Sequence, residues 1–192
     1  MDLKLKKDRY SIVVYPHREA INDVKVLKDI LWYKVGWYNS RNSEAHITII
    51  EFSADHYELV FYKKCIEKIC SSQRPQEVTF DYLSLSKFSQ AIVLLPNDPS
   101  KLYLNDLLKA FRKRLKSKNN INGSNAHISI GRKLSSAQID QAENLYDNIN
   151  IAFNCDTIAI RKLDEITKQF VVINEFKLTG NPLNHHQYPL LY

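Results

Sequence analysis

Glycine and proline are scarce, with 4 and 6 in 192 residues. Collagen-like repeats and Gly/Pro-rich low-complexity chains are thereby excluded. Cysteine is scarce too. Cys65, Cys70 and Cys155 form an odd set without a C-x-x-C, which argues against a secreted disulfide framework and against a zinc ribbon. No apolar run approaches the roughly 18 residues of a membrane span. The first residues, MDLKLKKD, carry charges where a signal peptide would hold its apolar core. The expected setting is cytoplasmic, with reduced thiols and no membrane partner.

What is present is a globular composition, 44% hydrophobic and 25% charged. The length suits one domain, or two small lobes sharing a core. Lys and Arg number 27 against 21 Asp and Glu, a formal net charge of +6. That excess excludes an acidic disordered chain and suits an anionic partner.

Strands and helices alternate along the chain. Residues 10–15 (YSIVVY) are β-branched and aromatic and stop at Pro16, as a short strand does. Residues 19–33 carry Ile21, Val24, Leu27 and Leu31 at helical spacing, and Gly36 is placed to end that helix. Strands are predicted over 45–52 and 77–86, with a helix over 55–71 between them. The pattern then restarts, with a strand over 91–95, a basic amphipathic helix over 100–117, a strand over 126–131 and a helix over 136–149. Strands over 152–163 and 167–178 follow, with a turn near Asp164 and Glu165. The second half reads as an internal repeat of the first. Pro16 and Pro96 end matching strands 80 residues apart, and His46 and His127 lie 81 apart.

The repeat carries a polar signature. His46-Ile47-Thr48-Ile49 in one half matches His127-Ile128-Ser129-Ile130 in the other. Side chains alternate across a strand, so each imidazole shares a face with the hydroxyl two residues on. The isoleucines face the other way and can pack beneath helices. A lone pair of this kind is most simply a satisfied core histidine. Two pairs, each on a predicted central strand, call for a shared polar cleft. Imidazoles titrate near neutrality, so one can act as general base while the other acts as general acid. The two hydroxyls can donate to anionic oxygens. The set suits in-line attack at a phosphodiester and asks for no metal or other cofactor.

In these two motifs and their spacing, the chain resembles the 2H phosphoesterase superfamily from about Tyr10 to Leu178. That superfamily includes RNA 2′,5′-ligase-like proteins and cyclic nucleotide phosphodiesterases. The resemblance implies an α+β, bilobal, duplicated fold, with two antiparallel sheets lining a central cleft and helices on the outside. One domain over 1–192 is expected, with lobes at about 10–88 and 89–180. The resemblance also implies metal-independent cleavage of 2′,3′-cyclic phosphates or related linkages, or 2′,5′-RNA ligation in the same cleft. A binding module without turnover is the remaining alternative. The expected partner is an RNA end or a small cyclic nucleotide, met by a monomer. Carried over by motif, His46 and His127 are the catalytic pair, and Thr48 and Ser129 bind phosphate. Arg132 follows the second motif, as an Arg does in many relatives, whereas Glu51 and Phe52 follow the first.

Weaker candidates surround these. Arg132 lies on the wrong face of a regular strand unless a bulge near Gly131 turns it. Trp37 and Tyr38 precede the first motif and could stack on a base. Lys109–Lys118 is strongly basic and reads either as an RNA-facing helix or as a solvated helix end. His185 and His186 have no ligand-spaced partner, and His17, just after Pro16, could line the cleft.

Overall fold

The computed structural model describes residues 5–115 and 120–180. The first half runs β1 (Asp8–Val14), α1 (Arg18–Val35), β2 (Ile47–Ala54), α2 (His56–Cys70) and β3 (Gln76–Ser86). The second runs β4 (Ala91–Pro96), α3 (Asp98–Arg114), the two-residue β5 (Ile121–Asn122), β6 (Ile128–Arg132), α4 (Ser136–Gln141) and β7 (Ile151–Cys155). β8 (Thr157–Leu163) and β9 (Phe170–Lys177) close the chain. Setting β5 aside, the predicted strand–helix–strand–helix–strand unit occurs twice.

Local chemistry sets the helix ends. Asp55 caps α2 and Glu58 reaches back to complete a capping box. Asn97 caps α3, whose first turn holds Pro99. Gly36 takes a left-handed φ of 76° where α1 stops.

The strands form two antiparallel sheets, one ordered β5-β2-β1-β8-β9 and the other β6-β4-β3-β7. α1 packs on β6 and β7, α2 on β2 and β9, and α3 on β2, β3 and β4. Ile47, Ile49, Ile128 and Ile130 are at most 1% exposed within the resulting core. Each contributes about 1.5–3 kcal/mol by leaving water.

Two secondary-structure expectations are corrected. Both sheets also cross the expected lobe boundary near residue 88. β3 pairs with β4 and β7, while β8 and β9 extend the sheet built on β1, so each sheet draws on both halves of the chain. Residues 152–163 are not one strand. The chain breaks at Asp156, whose carboxylate takes bonds from Thr157 and Lys177, and passes from one sheet to the other. The last helix ends at Gln141 rather than 149. Asn144 and Asn148 adopt left-handed φ values of 61° and 49°, a conformation asparagine tolerates and a helix does not.

Candidate active site

β2 and β6 present their motifs alike. His46 and His127 stand immediately before the two strands, and Thr48 and Ser129 on them. All four are half-buried, while the isoleucines between and after them are sealed in the core. Each strand then carries a bulge at the same place. Val13 pairs with Thr48 and Ile12 with Ile50, leaving Ile49 as the extra residue. Val93 pairs with Ser129 and Ile92 with Gly131, leaving Ile130 as the extra residue. A bulge inverts the alternation beyond it. Ile50 and Gly131 therefore stay on the helix side, where a Cβ on Gly131 would meet Leu31 and Leu134. Glu51 and Arg132 turn to the open face with the histidines and hydroxyls.

The imidazoles are fixed alike. His46 Nδ1 lies 2.7 Å from the Glu44 carbonyl, and His127 Nδ1 lies 2.8 Å from the Asn125 carbonyl. A carbonyl accepts only, so each places the proton on Nδ1 and leaves Nε2 with its lone pair outward. The loop that supplies Glu44 is itself pinned. Lys28, 1% exposed, donates to the Ser40 carbonyl (3.0 Å), the Ser43 carbonyl (2.6 Å) and the Ser43 hydroxyl (3.1 Å). The Glu44 carboxylate accepts from Tyr15 and Arg18.

The neighbours of the two rings differ. Arg161 on β8 brings Nη1 to 3.0 Å from His46 Nδ1, whereas the Ser124 hydroxyl lies 3.3 Å from His127 Nδ1. Burial, then the Arg161 charge, hold His46 well below the usual histidine range; Lys28 and His127 act in the same direction, against the Glu44 carbonyl. His46 is therefore neutral at pH 7.

The two motifs are also stitched together. β5 pairs with β2 through Ile121–Glu51 and Asn122–Ile50. Gly123 N–H then donates to the Ile49 carbonyl at the bulge (3.0 Å). A Cβ on Gly123 would come within 2.2 Å of the Thr48 carbonyl oxygen. Arg112 on α3 donates through Nε to the same Ile49 carbonyl (3.0 Å) and through Nη2 to the Ser124 carbonyl (2.8 Å). Four residues of extended chain reach at most about 14 Å, which bounds the distance from Gly123, packed on Thr48, to His127.

No family model and no curated protein matches the sequence. Solved structures do resemble the fold. LigT of E. coli, in a complex with 3′-AMP, superposes with a TM-score of 0.67 at 12% identity, over 91% of this chain and 99% of that one. TT0787 of Thermus thermophilus gives 0.62 at 13% identity, over 90% and 98%. Usb1 of Kluyveromyces marxianus gives 0.55 at 9%, over 90% and 98%. The chain shares its fold with these proteins.

Within that shared fold, Arg132 lies on the open face as the bulge requires, is exposed, and has no ion-pair or hydrogen-bond partner among the described residues. Trp37 is 67% exposed, with its carbonyl held by Gln138. Tyr38 offers no stacking surface. It is 2% exposed in the core, and its hydroxyl donates to the Lys28 carbonyl (2.8 Å). His17 caps α1 by accepting from Ala20 N–H. The basic run is split in role, because Arg112 is the stitch described above; residues 116–118 of it, like His185 and His186, lie outside the described residues.

Arg112 lay within the basic run but with no sign in the sequence of this stitching contact, and Arg161 stood in no motif. The signal for Arg161 was a lone arginine sharing a strand face with Thr157 and Ala159, opposite the buried Ile158 and Ile160. A recess of about 290 Å³ lies elsewhere, lined by α1 and residues 42–45 and by neither hydroxyl of the motifs. Among the described residues no group of three His, Cys, Asp or Glu is gathered to hold a metal ion, and no helix is long and apolar enough to cross a membrane.

Proposed function

We propose that this protein is a phosphodiesterase that opens 2′,3′-cyclic phosphates, or cleaves related linkages in RNA or nucleotides, by general acid–base chemistry without a metal. One observation carries the reading. Five groups on the open faces of β2 and β6 have no hydrogen-bond or ion-pair partner among the described residues: Nε2 of His46 and of His127, the hydroxyls of Thr48 and Ser129, and the Arg132 guanidinium. Two imidazoles can take and give a proton, and two hydroxyls and a guanidinium can hold a phosphate. E. coli LigT, which shares the fold, has been seen with 3′-AMP and with inorganic phosphate, which supports a nucleotide phosphate as the ligand class. Trp37 is the remaining candidate for stacking on a base.

The same site can seal as well as cut. An RNA 5′-hydroxyl in place of water turns hydrolysis into 2′,5′-ligation. The test is a panel of 2′,3′-cyclic nucleotides, 2′,5′-linked dinucleotides and RNA halves, assayed in EDTA. Wild type is expected to turn over at least one class, and His46→Ala and His127→Ala each to lose about 10²–10⁴ in rate. Full activity in either variant would remove that histidine from the mechanism. Tight binding without product across the panel would identify a binding module instead.

A further inference from the structure

The repeat gives the two histidines the same strand position, the same carbonyl partner and the same following hydroxyl. Arg161 is where they part. Ser11 on β1 pairs with Glu51 on β2 and with Arg161 on β8, so the three side chains form a row across the open face. Arg161 is only 6% exposed. Its Nη2 donates to the Ser11 hydroxyl (3.3 Å), its Nε has no partner among the described residues, and its guanidinium carbon lies 5.3 Å from the centre of the Phe170 ring. No carboxylate is paired with it among the described residues. Arg9 takes Glu51 at 2.7 Å, and Tyr15 and Arg18 take Glu44. A buried guanidinium without a paired carboxylate is costly to retain. What it meets instead is the ring of His46, at 3.0 Å.

That nitrogen of His46 already faces the Glu44 carbonyl at the shorter distance of 2.7 Å. Its proton points there, so Nδ1 is not free to accept from Arg161. A second proton, on Nε2, would set an imidazolium directly against a guanidinium. His127 has a neutral hydroxyl in the corresponding place.

We propose that Arg161 is a positioning residue that gives the paired histidines unlike duties, keeping His46 unprotonated with Nε2 outward as the base and leaving His127 to deliver the proton. The assignment rests on the phosphodiesterase reading. In the step it implies, His46 Nε2 takes a proton from the attacking water, and the water oxygen forms a bond to phosphorus. The bond from phosphorus to the 2′ or 3′ oxygen breaks, and that oxygen receives a proton from Nε2 of His127, which enters the step carrying protons on both ring nitrogens. His46 returns its proton to solvent and His127 takes one up. The charged and titratable groups around the His46–Arg161 pair are Tyr15 beyond β1, Glu51 on β2, Lys28 on α1, Glu44 in the preceding loop and His127 across the site.

The test combines imidazole NMR titration of the full chain with the pH dependence of kcat/KM on a 2′,3′-cyclic nucleotide. Arg161→Met and Arg161→Lys are compared with wild type. In wild type His46 is expected to titrate below the ordinary histidine range. Arg161→Met should raise the His46 midpoint by about one pH unit or more, a tenfold change in proton affinity. The acid limb of kcat/KM should move up with it while KM holds. Arg161→Lys should restore most of both. A His46 midpoint within or above the ordinary histidine range in wild type overturns the assignment, and this measurement needs no variant to fold. So does an Arg161→Met variant whose loss lies in KM with an unmoved pH profile, which would make Arg161 a phosphate ligand. Absence of turnover in wild type would refute the phosphodiesterase reading, while the imidazole titrations would still decide whether Arg161 controls His46.

Discussion

His46 is held neutral by where it sits, and that has a consequence for stability as well as for chemistry. Its folded-state pKa lies below its unfolded value, so the unfolded chain binds the proton more readily. The contribution of the neutral ring is complete above about pH 6.5 and is lost as the pH falls toward the folded value. Urea unfolding at pH 7, 6 and 5 should show wild type losing up to about 1.4 kcal/mol per pH unit from this one group. In His46→Gln that component should vanish. Equal slopes for the two proteins would mean that the ring titrates alike in the folded and the unfolded chain. Lys28 shows the complementary case of a buried cation that is kept because the loop needs it. Its ammonium satisfies carbonyls of Ser40 and Ser43, and the next carbonyl along, that of Glu44, orients the histidine.

Among the elements, β2 and β6 were legible in the sequence because a period of two needs only local composition. His46, Ile47, Thr48 and Ile49 sort to two faces by counting, and the second copy sorts the same way. The bulges were not legible. Nothing in Ile49-Ile50-Glu51 or Ile130-Gly131-Arg132 announces an extra residue, so the facing of Arg132 had to wait for the pairing. Residues 152–163 show another limit. Apolar alternation continues on both sides of Asp156, and periodicity carries no record of which sheet a strand joins; Arg161 was overlooked with it. Trp37 and Tyr38, adjacent in sequence, look equally able to stack, and only tertiary packing sends Tyr38 inward.

The contact between β5 and β2 gives a sharp test at this scale. A methyl on Gly123 would strike the backbone oxygen of Thr48, whereas a methyl on Gly131 would strike the ends of Leu31 and Leu134, which can rotate away. Gly123→Ala should therefore cost more stability than Gly131→Ala, by about 1–3 kcal/mol, and should depress activity by shifting Thr48. Thermal or urea melts of the two variants decide this, and equal losses would contradict the tight approach.

For the molecule as a whole, the exchange of strands between sheets matters more than the repeat. A fragment ending at residue 88 would leave β3 without β4 and β7, and β1 without β8. A fragment starting at 89 would lack β1, the strand against which β8 is built. Neither half is expected to fold alone, despite each holding one complete strand–helix repeat. Expressed separately, each should show poor amide dispersion by NMR. A folded spectrum from either would show that the sequence repeat is also a folding unit.

Glu51 and Arg132 occupy equivalent places after equivalent bulges, with opposite charge. An exact twofold site would treat both ends of a phosphodiester alike. On the phosphodiesterase reading, a phosphate would be drawn toward Arg132 and away from Glu51, whose charge Arg9 partly offsets. A duplicated scaffold would thereby gain a sense of direction from side chains outside its repeated motifs.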